Sequence, residues 1–427
     1  MPPNALAAAE PRWRAWACLG LLLAGLYLVA GPKLALSQWR VDRAGNAGLD
    51  EALQWQRGEL ALSAFGPRYE APEVDGRRYN AVGPGFTVIA FLGTTLSRLA
   101  GEPPDTFYPL YFVALVALPL PLVGFWAFCR VVGDAAWAAV LTAYLLIATC
   151  LLPVLVLCGQ GSLYHLNHAL AVTGLLLMGG DLLGSRRGWP AVLGLALAAW
   201  SRQMTVLYLP AALWLLLRSS RQAAASSGPD AAAAPNPSVP PPRRHRWSIL
   251  LGAVFIVAVP LLLNTLKFGS PLDSGYTRMY AGRTDHIARR AERCFFGPAN
   301  LPEHLWAMNL SFPRLDVRQG RPYLDSSGLA GASLWLTSPL LLGIFPACRR
   351  WWRDPPRRAL MLSSIVVLLG VGCYHTTGSY DSGYYRYALD VIPVWLLALA
   401  PETASGRARW MTLMCLAYGG LYHHFVH

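Results

Sequence analysis

Residues 37–100 read SQWRVDRAGNAGLDEALQWQRGELALSAFGPRYEAPEVDGRRYNAVGPGFTVIAFLGTTLSRLA and separate the first apolar helix from all later apolar runs. A large share of the 23 acidic residues of the chain lies here, namely Asp42, Asp50, Glu51, Glu59, Glu70, Glu73 and Asp75. The far end, RRYNAVGPG, leads into the apolar run 84–100. Whether that run crosses a bilayer decides on which side every later loop lies.

The composition is that of a membrane protein. The chain has 427 residues, of which 54% are hydrophobic and 14% are charged. Long apolar runs with so little charge are typical of polytopic membrane proteins. The net charge of +13 comes from basic residues between these runs, so the positive-inside rule accounts for it and we expect no nucleic-acid partner. Nearly all basic residues are Arg, which suggests a bacterial coding bias. We therefore predict an all-α integral protein of the inner (plasma) membrane.

The positions of the apolar runs predict the topology. A first helix at about 16–36 is followed by runs at 84–100, 106–128, 134–156, 165–184, 188–201, 203–218, 247–266, 331–347, 358–374, 388–400 and 408–425. Arg12 and Arg14 place the N-terminus in the cytoplasm. If 84–100 crossed the bilayer, the most basic loops would lie outside, whereas otherwise they all lie inside. We therefore predict about eleven transmembrane helices, a re-entrant or interfacial helix at 84–100 on the outer side, and an outer C-terminus.

The loops divide the predicted fold into modules. Residues 37–105 and 268–330 form large outer loops, and 49–62 is a candidate for a short interfacial helix. The Ala/Pro/Ser-rich composition within 219–246 predicts a disordered cytoplasmic linker. This linker separates a first membrane module, 1–218, from a second, 247–427.

Polar side chains that are costly near a membrane concentrate on the predicted outer face, where ionisable groups are functional candidates. Carboxylates there suit a general base for an acceptor hydroxyl or amine, and Arg and Tyr suit a phosphate. The candidates are Asp42, Asp50, Glu51, Tyr79, Asn80, His165, Asn167, His168, Arg202, Asp273, Tyr276, Arg278, Asp381, Tyr384, Tyr385, Arg386 and Asp390.

Several of these residues have a purely structural alternative. Arg202 between two apolar runs suits a hairpin-tip residue that extends its guanidinium to the interface. Arg386 and Asp390 are four residues apart at the start of a helix, which suits a structural ion pair. His165 and His168 have helical i,i+3 spacing, but the sequence shows no third metal ligand, so hydrogen-bonded histidines are the alternative to a metal site.

Several segments resemble the GT-C superfamily of integral-membrane glycosyltransferases, in the branch of the protein O-mannosyltransferases and the lipid A aminoarabinose transferase. The similarity covers most of the chain. It rests on the acids Asp42 or Asp50-Glu51, on DGRRYNAVGPGFTVIAF (75–91), on AAWSRQMTVLYLPAAL (198–213), and on LLLNTLKFGSPLDSGY (261–276) with TSPLLL (337–342) and YDSGYYRYALDVIP (380–393). The family often has a Lys or His before its proline pair. Here Val82-Gly83-Pro84-Gly85 has neither, so Arg77, Arg78 or Arg202 would take that role.

The resemblance implies transfer of a sugar from a polyprenyl-phosphate donor to a lipid, glycan or protein acceptor on the outer face. It implies Asp42, Asp50 or Glu51 as catalytic acids, with Asp42 slightly preferred over Asp50. The implied substrate-binding residues are Arg77, Arg78, Tyr79, Asn80, His165, His168, Arg202, Tyr276, Tyr384 and Arg386. A divalent cation is optional in the superfamily, and the sequence shows no clear ligand set for one. A transporter or flippase for a lipid-linked or anionic solute is the alternative function. It predicts inverted repeats and ionisable groups near the bilayer midplane.

Overall fold

The computed structural model is mostly helical, which confirms the predicted all-α class. It describes residues 12–30, 44–67, 71–159, 161–185, 187–226, 243–280, 285–318, 321–325, 332–378 and 384–426. Within these ranges the strands form two short antiparallel hairpins. They are β1 (Glu73–Val74) with β2 (Arg77–Arg78), and β3 (Arg314–Arg318) with β4 (Arg321–Asp325).

The α-helices follow the apolar runs, with short helices added in the two polar loops. The first ten are α1 (Arg12–Ala30), α2 (Ala47–Trp55), α3 (Gly85–Leu99), α4 (Pro104–Phe112), α5 (Pro119–Val132), α6 (Ala135–Ile147), α7 (Leu151–Gly159), α8 (Leu163–Gly180), α9 (Trp189–Ser201) and α10 (Leu209–Ser226). The remaining ones are α11 (Arg243–Phe268), α12 (His286–Cys294), α13 (Leu301–Asn309), α14 (Leu334–Thr337), α15 (Ile344–Trp351), α16 (Pro355–Gly372), α17 (Ile392–Thr403) and α18 (Gly406–Val426).

Tighter and wider helical turns connect these elements. The 3₁₀ turns are Gln203–Tyr208, Arg278–Tyr280, Pro298–Asn300, Pro339–Gly343 and Arg386–Asp390, and the π turns are Val113–Ala117 and Asp181–Ser185. Local sequence sets the boundaries, as the junction of α5 and α6 shows. Gly133 ends α5 with a left-handed φ of 78°, and the Asp134 side chain then accepts a hydrogen bond from the Trp137 amide to cap α6. Gly is favoured in the left-handed conformation at a helix C-terminus, and Asp is a preferred N-cap residue.

The predicted number of membrane spans is not confirmed. Among the described residues, three helices are long and apolar enough to cross a bilayer, namely Tyr108–Val132, Leu163–Gly184 and Trp247–Phe268. A fourth span results if α6 and α7, which meet at a bend of 66°, are counted together. Several other apolar runs form shorter helices, including Gly85–Leu99 and Trp189–Ser201. A straight span needs about 20 residues, and these helices end earlier.

Helix α8 lies at the centre of the bundle. It packs against α5, α7, α9 and α17, and almost all of its side chains are buried. Gly174 of α8 and Gly194 of α9 face each other so closely that a Cβ on either would lie 2.4 Å from the carbonyl oxygen of the other. Small residues at a helix contact permit this approach. The two predicted modules share this core, since α17 of the second module packs on α8 and α5 of the first.

Two features of the loops differ from the sequence-based expectation. The helix expected at 49–62 is the shorter α2, which packs against α3, with Leu49 and Ala52 fully buried. The predicted linker is helical at both ends, because α10 continues to Ser226 and α11 begins at Arg243. Residues 227–242 lie outside the described residues.

Candidate functional site

An ion pair between Arg202 and Asp390 forms the centre of the candidate site. Arg202 follows the last residue of α9, and Asp390 ends the 3₁₀ turn before α17. The guanidinium Nη2 lies 3.0 Å from Asp390 Oδ2, and Nε lies 3.2 Å from Oδ1. Asp390 is fully buried, whereas the Arg202 side chain remains 17% exposed. The Arg202 side chain is therefore not completely enclosed at the helix ends.

The structural alternative for Arg386, an i,i+4 ion pair with Asp390, does not fit the observed backbone. Residues 386–390 form a 3₁₀ turn, in which residues three apart are aligned and residues four apart are not. Arg386 instead places Nη1 3.4 Å from Nε2 of His165 on α8. The other ring nitrogen of His165, Nδ1, lies 2.6 Å from Ser162 Oγ. Because a guanidinium only donates, Nε2 is the accepting nitrogen and Nδ1 carries the proton.

His168 lies one helical turn after His165 and faces the same ion pair. Its Nδ1 atom is 3.8 Å from Asp390 Oδ1, and its ring stacks on Tyr387 with 6.1 Å between centroids. The ring is buried, and neither nitrogen has a hydrogen-bond partner among the described residues. His165 and His168 are therefore both part of the polar cluster around Asp390.

An aromatic wall covers the arginines. The ring of Tyr387 lies 4.8 Å from Arg202 Cζ and 5.9 Å from Arg386 Cζ, within range of a cation–π contact. The ring of His304 stacks on Tyr387, with 6.1 Å between the two centroids. Burial raises the pKa of Tyr374 to about 12 and lowers the pKa of His304 to about 4.

The sequence analysis did not select this wall. His304, Tyr374 and Tyr387 come from two distant polar segments, and tyrosines near a membrane are more often interface anchors. The sequence feature that could have indicated the wall is the high density of tyrosines in YHTTGSYDSGYYRY, residues 374–387.

A second ion pair joins the acid-rich stretch to α11. Glu51 of α2 is fully buried and pairs with Lys267, one of two lysines in the chain. The Asn80 side-chain amide and the Thr87 hydroxyl each donate to Glu51 Oε2 at 2.7 Å. Lys267 also donates to the Asn80 carbonyl oxygen at 3.1 Å. The sequence analysis did not select Lys267. A lone lysine at the end of an apolar run nevertheless indicates a paired or functional charge.

Other predicted residues stabilise the same loop. Asp50 is buried and accepts hydrogen bonds from the Ser63 amide at 2.7 Å and from the Ser63 hydroxyl at 2.8 Å. The guanidinium of Arg78 donates to four backbone carbonyl oxygens, those of Ser63, Ala64, Gly66 and Pro67. These donors are therefore already used in holding the loop, which argues against a phosphate-binding role for Arg78. Arg77 is exposed on β2.

The remaining predicted residues occupy different surroundings. Tyr79 packs edge-on against Phe268 of α11, with 6.0 Å between ring centroids. Tyr276 is near the aromatic wall, since burial raises its pKa while Arg202 opposes that shift. Tyr384 is fully buried and its ring meets that of His423 on α18. Asp42 and Asp381 lie outside the described residues.

A cavity of about 470 Å³ lies between the acid-rich stretch and the start of α8. Its lining includes Ala44, Gly45, Pro67, Val82, Ser162 and His165. His165 therefore contacts both the cavity and Arg386. The part of the chain that the structure describes contains no group of three His, Cys, Asp or Glu side chains placed to hold a metal ion.

The fold and this cluster define a mostly helical protein with apolar helices suited to a membrane and an arginine-rich polar site at the helix ends. No protein-family model, no curated protein and no solved structure matches the chain.

Proposed function

We propose that the protein is an integral-membrane glycosyltransferase that moves a sugar from a polyprenyl-phosphate donor to an acceptor at the outer face. The observation that carries the proposal is the cluster of Arg202, Arg386, His165 and Asp390 at the helix ends, beside a cavity large enough for a sugar. The resemblance to GT-C transferases supports the same function.

The charge of the cluster suits a lipid phosphate. Among the described residues, the cluster brings together the guanidinium groups of Arg202 and Arg386 and the carboxylate of Asp390, and arginines are suited to binding an anion. Arg binds phosphate through two parallel hydrogen bonds, and because Nε and Nη2 of Arg202 donate to Asp390, a phosphate would approach from the Nη1 side. The neighbouring apolar helices would hold the lipid tail. In the transfer, the bond from the anomeric carbon to the phosphate breaks as the acceptor oxygen bonds to that carbon, and the arginines stabilise the leaving phosphate.

The general base is assigned to Asp42. Glu51 is neutralised by Lys267, and Asp50 is bound by Ser63, so both are better suited to shaping the loop than to taking a proton. Asp42 precedes Ala44 by two residues in the sequence, and Ala44 lines the cavity. In this assignment the Asp42 carboxylate accepts the proton of the acceptor hydroxyl or amine.

The proposal is tested with purified protein in vesicles and a set of polyprenyl-phosphate donors carrying radiolabelled glucose, mannose or aminoarabinose. Asp42→Ala should abolish sugar transfer, and Glu59→Gln, an exposed acid of the same stretch, should leave it unchanged. Full transfer by Asp42→Ala would remove the catalytic assignment. Movement of the labelled lipid between leaflets without any transfer would instead support the flippase.

A further inference from the structure

Two cysteines meet where the loop after α12 passes the end of α16. Cys294 is the last residue of α12, and Cys373 follows α16. Both are partly exposed free thiols in this structure. They belong to segments that lie outside the arginine cluster, and neither the proposed chemistry nor the core packing uses their sulfur atoms.

The backbone fixes how these segments face each other. Phe296 pairs with Tyr374 in an isolated antiparallel bridge. The Gly297 amide donates to the Cys373 carbonyl oxygen at 2.8 Å, and the His375 amide donates to the Phe295 carbonyl oxygen at 3.1 Å. This register puts Gly297 directly opposite Cys373. Cys373 is the C-cap of α16, with φ −81° and ψ −8°, so the helix end is held directly against Gly297.

Gly297 leaves the position opposite Cys373 without a side chain, and the sulfur of Cys294 fills that space. A Cβ built on Gly297 would lie only 2.7 Å from Cys294 Sγ. The Cys294 sulfur therefore lies beside the residue whose amide binds the Cys373 carbonyl oxygen. The Asn300 side-chain amide also donates to both cysteine carbonyl oxygens, at 3.1 Å to Cys294 and 2.9 Å to Cys373.

We propose that Cys294 and Cys373 form a disulfide bond that ties the loop between α11 and α14 to the end of α16. The inference rests on the outer-face placement in the proposed function, because disulfides persist in oxidising compartments. A protein disulfide of the cell envelope is the oxidant. The Cys294 thiolate attacks it and releases one thiol, the Cys373 thiolate then displaces the second, and the two cysteine protons pass to solvent or to the released thiolates.

The test is alkylation with N-ethylmaleimide of protein denatured directly from isolated membranes, with and without prior reduction, followed by trypsin and mass spectrometry. Each cysteine falls in its own tryptic peptide, CFFGPANLPEHLWAMNLSFPR (294–314) and ALMLSSIVVLLGVGCYHTTGSYDSGYYR (359–386). Without reduction we expect one linked species, lighter than the two separate peptides by the two thiol hydrogens. After reduction we expect both peptides to carry the label.

Matched variants identify the pairing. Cys294→Ser should make Cys373 reactive without reductant, and Cys373→Ser should do the same for Cys294, whereas Cys348→Ser, at an exposed cysteine, should leave the linked species intact. Full labelling of both cysteines in unreduced wild-type protein would overturn the proposal. That result leaves the transferase proposal standing if Asp42→Ala still abolishes sugar transfer, so the two failures are distinguishable.

Discussion

Arg202 and Asp390 are 188 residues apart in the chain, yet two guanidinium nitrogens lie within 3.2 Å of the buried carboxylate. The ring of Tyr387 covers the guanidinium on one side. Burial raises the pKa of Asp390, and the Arg202 charge opposes that shift. This contact joins the end of α9 to the turn before α17, so one interaction both links the two parts of the chain and shapes the candidate site.

Loss of the Asp390 carboxylate should destabilise the protein strongly. Asp390→Ala leaves the largely buried Arg202 guanidinium without its counterion, and removing one partner of a buried pair costs about 3–5 kcal/mol. The free energy of unfolding in detergent, measured by denaturant titration, gives the cost. The matched control is Arg350→Ala, because Arg350 is 75% exposed and its loss leaves Glu402 paired with Arg357, so stability should change little. An Asp390→Ala variant as stable as wild type would show that the pair contributes nothing.

Breaking the Glu51–Lys267 pair on one side should destabilise the protein, and replacing both partners should restore most of the stability. Lys267→Met buries Glu51 without its cation and should lower stability by about 3–5 kcal/mol. Adding Glu51→Gln removes the stranded charge while keeping a group that accepts from Asn80 and Thr87, so the double variant should recover most of the loss. Thermal unfolding and sugar transfer are measured together.

The same double variant separates two roles of Glu51. If Glu51 only shapes the loop, transfer returns with stability. A double variant that folds like wild type but transfers no sugar would assign Glu51 to the chemistry instead of Asp42.

His304 should make the stability of the folded protein depend on pH. Its Nε2 lies 2.9 Å from the Tyr374 carbonyl oxygen and must donate, so Nδ1 accepts from the Tyr385 hydroxyl at 2.9 Å, and the ring is neutral. Burial lowers its pKa to about 4, below the value of about 6.5 expected when unfolded. Between these values the unfolded chain binds more protons. The contribution of His304 is therefore complete above about pH 6.5 and is lost as the pH falls towards 4.

The measurement is the unfolding temperature in detergent across that pH range, for wild type and His304→Gln. The variant should have a lower unfolding temperature than wild type near neutral pH. Its unfolding temperature should also fall less than that of wild type as the pH is lowered. Burial also lowers the pKa of His375 to about 4, so the unfolding temperature of the variant should still depend on pH to some extent. Identical slopes in both proteins would exclude His304 as a source of acid sensitivity.

The sidedness of the helices is open to a direct experiment. Basic loops favour the cytoplasm, so a reporter fused after Gly101 should lie outside and one within residues 227–242 should lie inside. Alkaline phosphatase activity reports the first position and fluorescence of a cytoplasmic reporter the second. A cytoplasmic signal after Gly101 would show that α3 crosses the bilayer and would reverse the predicted orientation of every later helix.

Local signals in the sequence predicted the helices but not their ends. The segment around Gly133 and Asp134 contains both the terminator and the cap, so the break between α5 and α6 follows from two residues. Run 84–100 was expected to be a short helix, and α3 (Gly85–Leu99) is one. The broken helices were harder to predict, because the bend between α6 and α7 lies within a continuous apolar run. Hydropathy measures composition and does not register a change of direction.

The sequence by itself determined the helical class, the apolar segments and the residue types that a phosphate site needs. Their partners were decided only by the tertiary structure. The 3₁₀ turn over 386–390 separates Arg386 from Asp390, and the end of α9 supplies Arg202 in its place. Likewise Glu51 and Asp50, adjacent in the sequence, bind Lys267 and Ser63 in different surroundings. Spacing along one segment predicts contacts within that segment. Pairing across 188 residues depends on how the helices pack around α8, which no local pattern encodes.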